Sequence, residues 1–391
     1  MMPKRNDSDS VLRSVRQAKS NVYHYLIVIL MLCSGILGGT IFDEAQILCE
    51  IILWALLSYG LLKIKLSRSD IVLLVTFLVT STVSFFLNEF NSFALNFKIF
   101  GLCIFTFIYF RQVHFNPAVL IKTALLFNII LIVHQFVFGH FVIESAWFFG
   151  EYKGYANDRP VGLFLVPHAS SFFIVIYVLY MLYSKSKNLL GGALFAFALM
   201  TQSLTSIVAS LAQVSNYIIS KSRVLRYIFR RSNLLIFVIV PLVILYYSDQ
   251  FMDLLRASSY TRYYSVETIL SQVFDPRFYS GLFTPFPKLY SEYILWQEAT
   301  FTNAGSEIGL IKVFVEGGIV LGFMVLIMLI RELKYFRVFI VVSLLHYSFI
   351  INMPFMLFLM LIYNREISAM TSSRYVHKRQ NYKERLRKPD K

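Results

Sequence analysis

Arg159 and His168 stand nine residues apart in the stretch NDRPVGLFLVPHASSFF, residues 157–173. A guanidinium can clamp a phosphate through two parallel N–H donors, and an imidazole exchanges a proton near neutral pH. Each has a plainer use too. Arginine anchors helix ends at a membrane surface, and a histidine inside an apolar run can be a hydrogen-bonded structural residue. Lys312 and Glu316 raise the same choice. They are spaced i,i+4 in SEIGLIKVFVEGGIVLGFMVLIMLI, so they share a helical face and can neutralise one another as a structural ion pair. Lys98 lies a turn or two inside another apolar run and is long enough to snorkel its ammonium to the surface.

The runs that must position these groups read as membrane spans. Of 391 residues, 57% are hydrophobic and 15% charged, with a mean hydropathy of +0.63. A soluble domain has about 45–50% apolar and about 25% charged residues. The apolar residues fall in blocks of about 20, the length at which a helix crosses a bilayer core. An ionisable group in hydrocarbon is costly, which makes each one a functional candidate. Pro167, just before His168, frees a carbonyl that must find a partner. A helix over 161–183 is therefore expected to border a polar cavity.

Hydropathy places about twelve helices near 24–40, 45–62, 70–88, 93–110, 118–138, 161–183, 189–202, 204–220, 233–248, 306–330, 338–350 and 353–364. With the N-terminus inside, the basic clusters fall on one side: KIKLSR, KSK, KSRVLRYIFRR, RELKYFR and both termini. That side holds 29 of the 37 Lys and Arg residues. The outside loops hold six: Lys153, Arg159, Arg256, Arg262, Arg277 and Lys288. The net charge of +15 is then an insertion signal and not a nucleic-acid footprint. This organisation gives a cytoplasmic segment over 1–23, a transmembrane domain over 24–364 and a basic cytoplasmic tail over 365–391, whose polar composition reads as disordered. The basic start followed by an apolar run lacks an Ala-x-Ala-like site, so it reads as an uncleaved first anchor. Cys33, Cys49 and Cys103 all lie in expected spans and read as apolar packing residues.

One outside segment is long, residues 248–305. It carries 13 aromatic residues and six carboxylates against four cations. Aromatic faces with polar neighbours suit sugar rings and equally suit a loop lying on the bilayer. Cations kept outside against the topological bias point to an anionic client, and Arg159 and Arg262 are the two that stand out. There is no P-loop, no Rossmann glycine pattern, no HExxH and no Cys/His metal spacing. No outside Asp-x-Asp pair offers to hold a divalent cation, so metal-independent chemistry without a cofactor is expected.

Four segments resemble the O-antigen polymerase and ligase superfamily. Arg159-Pro-Val-Gly162-Leu-Phe164-Leu-Val-Pro167-His168-Ala-Ser170 is similar to its Arg-x-x-Gly-x-Phe-x-x-Pro-Asn segment. Leu199-Met-Thr201-Gln-Ser203-Leu-Thr-Ser206 resembles its Thr-x-Ser-Arg helix pair. Tyr260-Thr-Arg262 with Asp275-Pro276 and Gly281 resembles the start of its large outer loop. Thr302-Asn303-Ala-Gly-Ser306-Glu307-Ile-Gly309, running on to Glu316-Gly317-Gly318 and Gly322, resembles the segment that closes that loop. Order and spacing agree over roughly 150–330 on this span pattern. The chain departs from the family in three places. His168 stands where Asn is common, Leu204 replaces the usual Arg, and no His precedes Asn303.

The resemblance implies an all-α, GT-C-like fold and a Wzy-type polysaccharide polymerase. Such an enzyme joins repeat units carried on undecaprenyl pyrophosphate at the outer face of the bacterial inner membrane. The missing histidine favours polymerase over ligase. In the implied site, Arg159 and Arg262, with Lys312 or Arg256, stabilise charge on the departing pyrophosphate. Glu307 is the first choice of base for the acceptor hydroxyl, followed by His168 and Asp158. Gly162 allows close approach, and grooves between helices hold the polyprenyl tails. The implied partners are the lipid-linked glycan, membrane lipid and a chain-length regulator protein, with no nucleic acid. A lipid-linked sugar flippase is the rival from another class, since this number of spans suits a transporter as well. A non-catalytic membrane scaffold is a third reading and leaves the outer arginines unexplained.

Overall fold

Long apolar blocks with few glycines or prolines dictate helices, because only a helix satisfies its own backbone in lipid. The computed structural model describes residues 7–38, 42–87, 90–140, 159–184, 188–222, 309–344 and 353–387. Eleven α-helices and no strand occur among the described residues. In chain order they are α1 (Asp7–Leu37), α2 (Asp43–Leu61), α3 (Arg68–Leu87), α4 (Phe90–Gln112), α5 (Ala118–Phe138) and α6 (Pro167–Ser184). Then come α7 (Asn188–Met200), α8 (Leu204–Lys221), α9 (Gly309–Glu332), a 3-10 turn (Lys334–Phe336), α10 (Arg337–Leu344) and α11 (Pro354–Arg387).

The first ten residues of α11 form the centre of the bundle. Phe355, Met356, Leu357, Phe358, Leu359 and Met360 have no exposed surface, so this helix is apolar and covered all round. Phe358 meets Phe110 of α4, and Phe355 meets Phe173 of α6, in edge-to-face contacts with centroids 4.6 and 5.6 Å apart. Toward the outside the pattern inverts. Leu48 and Ile51 on α2, Val72 and Leu78 on α3, and Leu126 and Phe127 on α5 are each about half exposed or more. Apolar surface on this scale belongs against lipid and not water. Among the described residues, four helices are long and apolar enough to cross a membrane, over Glu44–Leu61, Arg68–Phe86, Ala118–Phe138 and Pro167–Ser184. The chain is a membrane protein, all-helical over its described residues.

Three elements differ from expectation. The helix expected over 161–183 begins at Pro167. Proline opens it and does not kink it. At the first helical position the missing N–H costs nothing and the fixed φ already suits a helix. Second, the tail expected to be disordered continues α11 in one helix to Arg387. Extending a helix already nucleated in the core adds one bond per residue fixed, and no Gly or Pro interrupts the sequence before Pro389. Third, α9 is bent at Gly318, whose φ of 74° lies outside the helical region. The expected span over 233–248 lies outside the described residues, as does the whole of the long outer loop, 248–305.

Candidate functional site

The site is built on one face of α5. Asn128 and Gln135 are seven residues apart, two helical turns, so both face the same neighbour, and both are buried. A carboxamide buried in an apolar bundle is costly unless its donors and acceptor are engaged. Here the partner is the unwound backbone of 159–166. Gln135 donates from Nε2 to the Arg159 carbonyl at 3.1 Å and accepts the Val161 N–H at Oε1 at 2.9 Å. Asn128 accepts the Leu163 N–H at 2.8 Å and donates from Nδ2 to the Ser170 carbonyl at 3.1 Å. Ser170 adds a third tie, donating to the Val161 carbonyl and accepting the Phe164 N–H. Two amides and a hydroxyl thus do for this segment what an adjacent strand would do.

Local sequence permits this path. Gly162 has a φ of 62°, and a Cβ there would lie 2.5 Å from Asn128 Oδ1, 2.8 Å from Ser170 Oγ and 2.9 Å from Ile132 Cγ1. Only glycine fits, on conformation and on space. Leu165 also takes a positive φ of 56°, at a cost of about 1 kcal/mol or more that its buried surroundings must offset. Helix α6 then starts at Pro167, and His168 in its first turn reaches across to the α7–α8 turn. His168 Nδ1 and Ser203 Oγ share a hydrogen bond of 2.8 Å. One turn on, the hydroxyls of Ser171 and Ser206 are hydrogen-bonded, and Thr201 Oγ1 donates to the Ala198 carbonyl at 2.7 Å.

Arg159 is half-buried at the mouth of this path, eight residues ahead of the helix that was expected to start beside it. Its guanidinium forms no ion pair among the described residues. The arrangement offers one cation at an end of a polar seam that runs past Gly162 to His168 and Ser203. The structure joins His168 to Ser203 and Ser171 to Ser206, and it ties the Arg159 carbonyl to Gln135 ahead of the Gly162 turn. Asp158, Arg256, Arg262 and Glu307 lie outside the described residues. Lys312 and Glu316 are one turn apart on α9, and their side chains lie outside the described residues as well.

No family model, curated protein or solved structure matches the chain. What the residues do must therefore be argued from their own chemistry.

Sequence reasoning passed over Asn128 and Gln135, although a polar pair spaced by seven in an apolar helix was a readable signal. It also passed over Glu50. Lys98, expected to snorkel alone, lies with its Nζ 2.8 Å from Glu50 Oε2. The ammonium of this partly exposed lysine thus has a buried carboxylate as its partner.

Proposed function

We propose that this protein is a polysaccharide polymerase that joins oligosaccharide repeat units carried on undecaprenyl pyrophosphate. The setting we infer is the outer face of a bacterial inner membrane, with about twelve spans in a GT-C-like arrangement and both termini in the cytoplasm. The observation that carries the reading is the unwound 159–166 segment. It presents Arg159 at one end of a polar seam, and it brings the two resembling stretches, 159–170 and 199–206, into direct contact through His168 and Ser203. An anionic client suits a half-buried guanidinium without a carboxylate partner among the described residues.

The chemistry is a substitution at an anomeric carbon. The acceptor hydroxyl oxygen attacks that carbon, and its bond to the pyrophosphate oxygen breaks. The electron pair leaves with the lipid pyrophosphate, and the hydroxyl proton passes to a base. Arg159, together with Arg262 and with Arg256 or Lys312, stabilises charge growing on the leaving group. Glu307 is assigned the proton, with His168 and Asp158 as second choices. The ordered backbone between Arg159 and His168 holds the Arg159 main chain before substrate arrives, so less reorganisation remains at the moment of reaction. A metal-independent glycosyltransferase is the resulting class.

The polymerase and the ligase are separated in a deletion strain. Loss of the polymerase leaves one repeat on the lipid core, and loss of the ligase leaves bare core with glycan stranded on its carrier. The direct test is Arg159→Ala, which should abolish long polymer while single-repeat product remains. Normal chain-length modality in that strain would sink the assignment. The unwound segment also favours one reading from another class, because interrupted helices at membrane depth hold substrates in transporters. Movement of lipid-linked sugar across reconstituted vesicles, without new glycosidic bonds, would decide for it.

A further inference from the structure

Glu50 lies seven residues into α2, about 10 Å along the helix from its first residue, where a lone carboxylate would be expensive. It is not alone. Its Oε1 accepts from Ser34 Oγ of α1 at 3.1 Å and from Gln46 Nε2 at 2.7 Å, while Oε2 faces Lys98 Nζ of α4. The two partners are not equally enclosed. The Glu50 side chain is 7% exposed and that of Lys98 33%. One carboxylate oxygen takes two hydrogen bonds, and the other has the ammonium charge as its partner. The ammonium has three donors of its own and, among the described residues, Glu50 as its partner.

Beside this ammonium stands an aromatic wall. Trp54, one turn after Glu50, stacks on Phe97 with centroids 4.9 Å apart and planes 7° from parallel, and it packs on Phe105. Trp54 and Phe97 are both half-buried. Gly101 makes room for the indole, since a Cβ at that position would sit 2.1 Å from Trp54 Cζ2. A partly open cation at the head of a partly open aromatic surface suits an amphiphile with an anionic head and an apolar tail.

We propose that Lys98, oriented by Glu50, is a binding point for the phosphate head of a polyprenyl diphosphate whose tail lies along Trp54 and Phe97. This rests on the polymerase reading and deepens it. Joining two lipid-linked repeats requires two diphosphate heads to be held at once, and Arg159 supplies one. Glu50 is a positioning residue, holding the lysine stem while two N–H donors remain for phosphate. Packing connects the two regions. A Cβ on Gly35, next to Ser34, would lie 3.3 Å from the ring of Phe164 in the unwound segment. Helix α1 thereby touches both Glu50, through Ser34, and the unwound segment that carries Arg159.

The test uses the full-length protein in nanodiscs, with a polyprenyl diphosphate as probe and inorganic diphosphate as competitor. Lys98→Gln should weaken lipid binding about tenfold or more, the worth of a charge-assisted contact. The exchanged pair E50K/K98E should keep the wild-type melting temperature without recovering affinity, which a purely structural pair would not show. Binding at wild-type affinity in either variant overturns the proposal. Inorganic diphosphate should compete only weakly, and if it binds as tightly as the lipid, the aromatic tail site is wrong. The two readings fail separately. Normal long polymer in Arg159→Ala sinks the polymerase, whereas lipid binding indifferent to Lys98 sinks this site alone.

Discussion

Helix α4 carries a cation near each of its ends, and each meets a buried carboxylate on a neighbouring helix. At one end Arg111 Nη2 lies 2.7 Å from both oxygens of Asp70 and 2.8 Å from Ser67 Oγ, and Glu332 stands 3.8 Å from Nη1. Asp70 also accepts from Gln112 and from the Ser67 N–H, while Ser67 Oγ caps the Asp70 N–H. That Ser-x-x-Asp exchange is a capping box at the start of α3. There the carboxylate is ringed by donors, and the guanidinium has two carboxylates for its one charge. At the other end Lys98 has one carboxylate, Glu50, as its acidic partner among the described residues and is the more exposed cation. Two ion pairs on one helix thus differ in what they leave undone. The closed pair fastens α3 to α4, while the open one presents a charge.

Breaking the closed pair should have the largest effect on folding. Arg111→Ala strands Asp70 without its cation and should cost about 3–5 kcal/mol, read as a lost or strongly lowered melting transition in detergent. If it melts no lower than a neutral Lys98 variant, the contrast between the two ends is gone. Gly162→Ala should come next. The added Cβ has no room and the backbone resists it, for a loss of about 1–3 kcal/mol together with loss of long polymer. Asn128→Leu should cost about 1–3 kcal/mol by orphaning the Leu163 N–H. Hydrogen exchange at Val161 and Leu163 should quicken there before it quickens in α11. Smallest of all, the neutral pair E50Q/K98Q should shift stability by less than about 1 kcal/mol, since a buried ion pair is often replaceable. Lipid-diphosphate binding should fall all the same, and a stability loss as large as that of Arg111→Ala would make the open pair structural.

The boundaries of α2, α3, α4, α5 and α8 agree with the expected spans to within a few residues, because each apolar block is bounded by charge, proline or polar turns. The start of α6 was misread for a local reason. Residues 161–166 are as apolar as the helix that follows, and hydropathy does not distinguish a buried unwound strand from a helix. Gly162 and Pro167 were both visible, but the reason the chain stays unwound lies on α5, some 30 residues earlier. Asn128 and Gln135 remove the pressure on 159–166 to form its own helical hydrogen bonds. The tail was misread in the opposite direction. Its polar composition hides the fact that α11 is already wound before it leaves the core.

Arg159, Gly162 and His168 were singled out from residue type and spacing, and the structure places the first two in the unwound segment and the third in the first turn of α6. Glu50 was not, because its partner Lys98 lies on another helix and no spacing along the chain connects them.

From the sequence alone come the membrane class, most helix limits, the basic asymmetry between the loops and the few cations set against it. All of these follow from local composition and the length of a bilayer crossing. The tertiary structure alone decided that Asn128 and Gln135 replace a missing helix turn, that His168 meets Ser203, and that Lys98, unlike Arg159, has an ion-pair partner among the described residues. Hydrogen bonds and ion pairs form between groups that folding brings within about 3 Å, and no pattern along the chain encodes that distance.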